Sequence, residues 1–182
     1  MAELIADLFV SIDGFARGVE VGPYFGYGGD ELDAWITREV GRPQVLVMGR
    51  VTYELMAGLS ATATDTNSVR TNETPKVVVS RTLHEPLDWQ NTRLVRDLAD
   101  GIGALKRESD VPLRTIGSLS LVRGLVELGL VDRLRVMVFP MMVGDDGREL
   151  AFDGFARGGF ELAGTEVLDS RIVLLEYRPA VR

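Results

Sequence analysis

A chain of 182 residues with 46% hydrophobic and 26% charged residues is long enough for a well-buried core and has an ordinary globular composition. Its formal net charge of −7 gives no overall positive field that would favour nucleic acid or an anionic membrane. The absence of cysteine excludes disulfides, thiolate catalysis and cysteine-based zinc sites, and no apolar run reaches the ~18 residues of a membrane span. We therefore predict a soluble, cytoplasmic protein whose residues 1–182 form a single domain.

The first half of the chain alternates apolar runs with helical patterns. These patterns predict strands at 3–12, 44–48 and 76–80, helices at 30–40 and 50–59, and a glycine-rich irregular loop at 14–29. Residues 60–75 are polar and almost free of large apolar side chains. Because such a segment cannot bury a core of its own, we expect a surface loop that acts as a lid or contacts another subunit.

The second half continues the alternation and then contains strands alone. Strands are predicted at 92–95, 113–116 and 133–139, helices at 98–108 and 120–128, and an antiparallel pair at 160–168 and 171–178. Asp169 and Ser170 form the turn of this pair. The pattern predicts an α/β fold with a mostly parallel central sheet, helices on both faces and an antiparallel C-terminal edge.

The stretch VLVMGRVTYE, residues 45–54, joins a buried strand to a helix start through a glycine. Gly49 lets the backbone approach a ligand closely, and the helix after it begins with free N–H groups and a partial positive charge. Arg50 adds a cation and Thr52 a hydroxyl group. This combination favours phosphate binding, with an ordinary strand–helix turn and a solvated Arg50 as the alternative.

Two further turns have the same character. RTIGSLSLV, residues 114–122, places Gly117 after a strand, with Ser118 or Ser120 available to cap the next helix. Val79-Ser-Arg-Thr82 places two hydroxyls and a cation at another strand end. Ligands bind outside the carboxyl ends of strands in open α/β sheets. Three such strand ends predict an extended phosphorylated ligand such as a dinucleotide, and ordinary capped turns are the alternative.

Four segments carry a family resemblance: LIADLFVSIDGF, VLVMGRVTYE, KVVVSRTL and IGSLSLVRGLVELGLVDRLRVMVFPMMVG, which together cover most of residues 3–150. In these segments the chain resembles the dihydrofolate reductase-like family, and in particular the reductase domain of bacterial riboflavin-biosynthesis deaminase-reductases. The resemblance implies a dihydrofolate reductase-like fold, NADPH as cofactor, and hydride transfer to a small heterocyclic or carbonyl-bearing substrate. It also implies a homodimer, since members of the family are often dimeric.

The resemblance further implies which residues bind the cofactor. Cofactor phosphates would contact Gly49, Arg50, Val51 and Thr52, and the adenosine with its 2′-phosphate would contact Ser80, Arg81 and Thr82. The pyrophosphate would contact Gly117, Ser118, Leu119, Ser120 and Leu121. The nicotinamide side would contact Ala6, Asp13, Gly14 and Phe15.

Two carboxylates are candidate catalytic residues, because hydride transfer requires a proton that a pocket carboxyl supplies or organises. Asp33 lies near the position where the resemblance places a substrate-binding acid, and the alternative is a capping pair with Asp30. Asp7 interrupts an apolar strand, where a carboxyl is costly unless it is paired or faces a cavity. The resemblance places Asp7 at the nicotinamide end, and a partner-satisfied acid is the alternative. Two other functions stay open: a true dihydrofolate or pterin reductase, and a non-catalytic nucleotide-binding module.

Overall fold

The structure is a computed structural model that describes residues 1–60 and 62–180. Within these residues the strands are β1 (Leu4–Ser11), β2 (Phe15–Gly18), β3 (Val45–Gly49), β4 (Lys76–Val79), β5 (Thr92–Val95), β6 (Leu113–Thr115), β7 (Arg133–Phe139), β8 (Gly147–Leu150), β9 (Phe160–Leu168) and β10 (Ile172–Pro179). The helices are α1 (Asp30–Val40), α2 (Arg50–Ser60), α3 (Thr66–Glu73), α4 (Leu98–Glu108) and α5 (Leu119–Glu127).

Eight of the described strands form the central sheet, in the order β5-β4-β3-β6-β1-β7-β10-β9. The strands from β5 to β7 are parallel, whereas β10 is antiparallel to β7 and β9 is antiparallel to β10. The predicted α/β class, with its parallel sheet and antiparallel C-terminal edge, is confirmed.

Alternating side chains of the sheet are buried against helices on its two faces. In β1, Leu8 packs with the side chains of α4 and α5, while Phe9 packs with Leu32 and Trp35 of α1. Tyr53 of α2 packs against β3 and β4. The predicted helices on both faces are therefore confirmed. None of the helices among the described residues has the length and hydropathy that a membrane-spanning helix needs.

The expectation of loops at 14–29 and 60–75 was wrong in part. Residues 15–18 form β2, which pairs antiparallel with β8, a strand that the sequence patterns did not indicate. Residues 66–73 form α3, none of whose residues is buried. Short strands and helices without a buried face lack the apolar periodicity on which sequence prediction depends. Ala61 lies outside the described residues.

Polar contacts at its two ends stabilise α3. The carboxylate of Asp65 accepts hydrogen bonds from the backbone N–H groups of Asn67 and Ser68, at 3.1 and 3.0 Å. At the other end, the buried ammonium of Lys76 donates to the carbonyls of Thr71, Asn72 and Thr74. Because these contacts satisfy the free backbone groups of the helix, a polar segment folds without an apolar stripe. Its role as a lid or subunit contact stays a prediction.

The N-terminus of α1 is capped by a residue distant in sequence. Gly29 occupies the cap position, and the carboxylate of Asp169 accepts hydrogen bonds from the N–H groups of Glu31 and Leu32, both at 3.1 Å. Asp169 belongs to the turn between β9 and β10, which confirms the predicted hairpin. The alternative interpretation of Asp30 and Asp33 as a capping pair is wrong, because Asp169 supplies the capping oxygens.

Candidate functional site

The predicted phosphate-binding turns meet in one cleft of about 650 Å³ at the carboxyl edge of the sheet. β4, β3 and β6 are neighbouring parallel strands, so the turns that follow them lie side by side. The cleft is lined by Gly49, Arg50, Val51, Val79, Ser80, Arg81, Leu98, Ser118, Ser120 and Leu121. Thr52, Thr82, Gly117 and Leu119 belong to the same turns but do not line the cleft. The structure thus brings together three sites that are distant in sequence.

Two glycines allow the turns after β3 and β6 to touch. The N–H of Gly49 donates to the carbonyl of Gly117 at 3.2 Å. A Cβ atom at Gly49 would lie 2.7 Å from the hydroxyl oxygen of Ser118, and one at Gly117 would lie 2.7 Å from that of Thr52. Gly117 also has a φ of +119°, which other residues rarely adopt. The close approach of the two turns therefore requires glycine at both positions.

The helices that begin at the cleft lack side-chain caps. Gly49 precedes α2 and has no side chain, and Ser118 precedes α5 without making a capping hydrogen bond. The expectation that Ser118 or Ser120 caps α5 was wrong; their hydroxyl oxygens lie 3.0 Å apart and contact each other. In contrast, Asp97 caps α4. The free N–H groups and partial positive charges of α2 and α5 are thus available to an anionic ligand in the cleft.

Three arginines lie around the cleft. Arg50 pairs with Glu54 at 2.9 Å on the surface, where both side chains are about half exposed (46% and 47%). Arg81 is exposed and makes no ion pair within the part of the chain that the structure describes. Arg96, directly after β5, donates to the carbonyl of Ser80 at 3.2 Å. Sequence reasoning missed Arg96, although a cation directly after a predicted strand is the pattern that indicated Arg81.

Of the residues expected on the nicotinamide side, Asp13, Gly14 and Phe15 follow the end of β1, apart from the residues that line the cleft, and Ala6 lies within β1. Ala6 is completely buried in the core. The carboxylate of Asp13 accepts hydrogen bonds from the hydroxyl of Ser11 at 2.5 Å and from the N–H of Gly144 at 2.8 Å. The hydrogen bond from Ser11 lowers the pKa of Asp13 below its usual value. Phe15 donates its N–H to the same hydroxyl, so this turn is fixed by the groups around Ser11.

Asp7 lies in a buried network of charged side chains. Its carboxylate accepts hydrogen bonds from Arg114 at 2.6 Å and from Arg135 at 2.7 and 2.9 Å. Arg135 also donates to Glu39 of α1 at 2.6 Å. Burial alone would lower the pKa of Arg135, but the carboxylates of Asp7 and Glu39 raise it above its ordinary value. Both guanidinium carbons lie 5.3 Å from the ring centroid of Trp35. Both oxygens of Asp7 are thus engaged by arginines.

Asp33 is exposed on α1, and within the described residues its side chain makes no hydrogen bond or ion pair. Tyr24 lies within the electrostatic influence of this carboxylate. Burial raises the pKa of Tyr24, and the charges of Asp7 and Asp33 raise it further while Arg114 opposes them. Sequence analysis did not single out Tyr24, because it lies in a segment predicted as an irregular loop.

Comparisons with known proteins agree with this architecture. A family model described as the RibD C-terminal domain matches residues 2–174. "Uncharacterized protein YyaP" of Bacillus subtilis is 24% identical over 185 residues, covering 96% of this chain and 93% of that protein. RibD of Acinetobacter baumannii has a TM-score of 0.73 at 14% identity, over 99% of this chain and 58% of that one.

A second similar solved structure is a dihydrofolate reductase. Dihydrofolate reductase of Enterococcus faecalis, complexed with NADP(H) and RAB-propyl, has a TM-score of 0.66 at 16% identity, over 98% of this chain and 97% of that one. At such low identities these likenesses establish the fold alone, and they confirm the predicted dihydrofolate reductase-like fold.

Proposed function

Because the chain belongs to the RibD C-terminal domain family, we propose that it is an NADPH-dependent reductase acting on a small heterocyclic or carbonyl-bearing substrate. NADPH, when bound, supplies the hydride, and the protein positions the nicotinamide against the substrate. The family and the similar dihydrofolate reductase-like structures support a reductase. NADPH as the cofactor and the class of substrate are our proposal.

The observation that carries the proposal is the cleft at the carboxyl edge of the sheet. Its volume of about 650 Å³ is in the range of cofactor sites. Two uncapped helix N-termini supply N–H donors for a pyrophosphate, beside the hydroxyls of Ser118 and Ser120. Arg81 and Arg96, at the ends of neighbouring strands, supply cations for the 2′-phosphate that distinguishes NADPH from NADH. The donor set therefore fits an extended, multiply anionic dinucleotide.

Of the two candidate carboxylates, we propose that Asp33 acts at the substrate end and that Asp7 holds the arginine network. Asp33 is exposed and its charge raises the pKa of Tyr24, whereas both oxygens of Asp7 already accept hydrogen bonds from arginines. Asp33→Asn should lower turnover and leave the NADPH dissociation constant nearly unchanged. Equal turnover in wild type and variant, on a substrate that the protein reduces, would remove Asp33 from the chemistry.

We also propose that the protein is cytoplasmic and forms a homodimer. Exposed apolar side chains on the edge strand β9 support self-association: Leu162 is 58% exposed, Val167 57% and Phe160 37%. Sedimentation velocity at micromolar concentration tests this part of the proposal. A monomer across the concentration series would contradict it.

The experiment that tests the function has two stages. Titrations of NADPH and NADH into the purified protein come first, and tighter binding of NADPH is expected. NADPH oxidation is then followed with pterins, pyrimidines and carbonyl compounds as substrates. Reduction of dihydrofolate would identify a true dihydrofolate reductase, and NADPH binding without oxidation by any compound would indicate a nucleotide-binding module. Failure to bind either cofactor would exclude the proposed reductase.

A further inference from the structure

Residues 19–29, here named the strap, place two aromatic rings between α1 and the sheet. The ring of Phe25 is 6% exposed and stacks on Phe139, with centroids 5.2 Å apart. The ring of Tyr24 lies 5.3 Å from Phe9 and 6.4 Å from Phe139. Trp35 of α1 lies 6.3 Å from Phe9. Phe9, Phe139 and Trp35 therefore surround an aromatic slot that the two strap rings fill.

The backbone of the strap is strained where it carries these rings. Tyr24 has a φ of +51° and Phe25 a φ of +55°, and Glu20 has a φ of +54°. The left-handed conformation costs a bulky L-residue on the order of 1 kcal/mol or more, and residues held in it cluster at ligand clamps and switch regions. Two consecutive aromatic residues in this conformation indicate that their ring contacts outweigh an unfavourable backbone.

Hydrogen bonds attach the strap at its ends, and ring contacts hold its middle. Val19 donates its N–H to the carbonyl of Asp146 at 3.0 Å, and the hydroxyl of Tyr27 donates to the carbonyl of Pro140 at 2.8 Å. Between these points no backbone hydrogen bond joins residues 20–26 to the sheet, within the part of the chain described. Displacement of the two rings therefore breaks no backbone hydrogen bond between residues 20–26 and the sheet in the described part of the chain.

The slot lies beside the end of β1 where the nicotinamide is expected. Phe9 precedes by two residues Ser11, whose hydroxyl organises the turn of Asp13 and Phe15. A hydride acceptor held next to that turn would lie in or next to the slot. The slot walls are aromatic, so a planar ring fits the space that the strap rings fill.

We propose that Tyr24 and Phe25 occupy the binding site for the planar ring of the substrate, and that this ring binds by displacing the strap. The inference rests on the proposed function, because only the expected position of the nicotinamide makes the slot a substrate site. Displacement exchanges one set of ring contacts for another and releases the strain at residues 24 and 25. Substrates with a flat heterocycle are therefore favoured over flexible aliphatic carbonyl compounds.

Lumazine, a planar bicyclic heterocycle without phosphate, is the probe that tests this proposal. Its dissociation constant is measured by titration for wild type and for Phe25→Ala, which removes the ring that competes for the slot. We expect Phe25→Ala to bind lumazine at least tenfold more tightly. Tyr24→Gly, which removes both a ring and its strained backbone, gives the same comparison if Phe25→Ala does not fold. Phe155→Ala is the matched control: Phe155 packs against Phe152 at 6.1 Å in the core cluster on the other face of the sheet from the slot, and its loss should leave lumazine binding unchanged.

Hydrogen exchange of the wild-type protein gives a second, independent measurement. Saturation with lumazine should accelerate exchange at the amides of residues 20–27 and leave those of α1 unchanged. Unchanged or slower exchange at 20–27 in the bound protein would overturn the proposal. Equal lumazine affinity in wild type and the folded variants would also overturn it, and so would the absence of lumazine binding in all of these proteins. NADPH titrations on the same proteins distinguish failure of the proposed reductase from failure of the strap proposal. Absence of NADPH binding would contradict the reductase, whereas the lumazine measurements test displacement of the strap.

Discussion

Two arginines on the strands that flank β1 are buried in ion pairs, whereas the cleft contains an exposed arginine without one in the described part of the chain. Arg135 and Arg114 are 5% and 9% exposed and pair with Asp7 and Glu39. Arg81, in contrast, is exposed at the cleft without an ion pair in the described part of the chain. Buried charges must be paired with each other for the fold to be stable, whereas an unpaired surface cation costs little and stays available to a ligand. The same residue type thus supports the fold in one region and the expected binding site in the other.

The strongest test of this comparison removes one arginine from each region. Arg135→Met should lower the free energy of unfolding by about 3–5 kcal/mol, because it removes one of the two buried cations that pair with the carboxylates of Asp7 and Glu39. Arg81→Met should change it by less than about 0.5 kcal/mol, since the side chain is exposed. Urea denaturation followed by circular dichroism measures both values. Similar losses in the free energy of unfolding would contradict the distinction between structural arginines beside β1 and a ligand-binding arginine at the cleft.

A smaller loss of stability is expected at Gly117, where the turns after β3 and β6 approach each other closely. Gly117→Ala places a methyl group 2.7 Å from the hydroxyl oxygen of Thr52 on a residue with φ +119°. We expect it to cost about 1–3 kcal/mol of stability and to weaken NADPH binding measurably. Gly58→Ala is the control, because Gly58 lies on α2 with open space around its Cβ position and should gain about 0.5–1 kcal/mol. Unchanged NADPH affinity in Gly117→Ala would argue against the close contact of the two turns as part of the site.

The cleft arginine is expected to act on the cofactor's phosphate. The 2′-phosphate carries roughly −1.5 to −2 charges, and hydrogen bonds to charged groups contribute about 1.5–3 kcal/mol. Arg81→Ala should therefore weaken NADPH binding about tenfold or more and affect NADH much less. Arg93→Ala, on the middle of β5, is the matched surface control. Equal losses of affinity for NADPH and NADH would show that Arg81 is a solvated side chain that does not contact the 2′-phosphate. Added salt should reduce the preference for NADPH, because exposed charge contacts are screened.

The weakest expected effect concerns Lys76, a buried cation that donates to three carbonyls and lies over the ring of Trp89, 4.8 Å from its centroid. Burial lowers its pKa from 10.5 to about 8. The folded protein therefore binds fewer protons than the unfolded chain between about pH 8 and 10.5, so the free energy of unfolding should rise with pH in this window. The slope is at most about 1.4 kcal/mol per pH unit, and the three carbonyl hydrogen bonds that favour the ammonium reduce it.

Urea denaturation at pH 7.5, 8.5 and 9.5 measures this slope. Lys76→Met should be less stable at pH 7.5, because three carbonyls at the end of α3 lose their donor. The variant should also lack the rise of stability with pH. A wild-type slope that persists in Lys76→Met would belong to another group.

Much of the candidate site could be predicted because it depends on local patterns. A strand that ends on glycine before a helix is visible at Gly49 and at Gly117, and both turns line or adjoin the cleft. The role of Asp7 could not be decided in the same way. A carboxyl within an apolar run is compatible with a pocket or with a buried partner, and only the positions of Arg114 and Arg135 on neighbouring strands distinguish them.

The amino-acid sequence by itself determined where along the chain the eight strands of the central sheet and the helices α1, α2, α4 and α5 form, because alternating and helical apolar patterns record which side chains are buried. Tertiary structure alone decided the contacts between segments distant in the chain. Asp169, in the turn of the C-terminal hairpin, caps α1; Lys76 and Asp65 stabilise α3, which has no buried residue; and Arg96 donates to the carbonyl of Ser80 because β5 pairs with β4. Such contacts depend on where the sheet places each strand end, and no local periodicity carries that information.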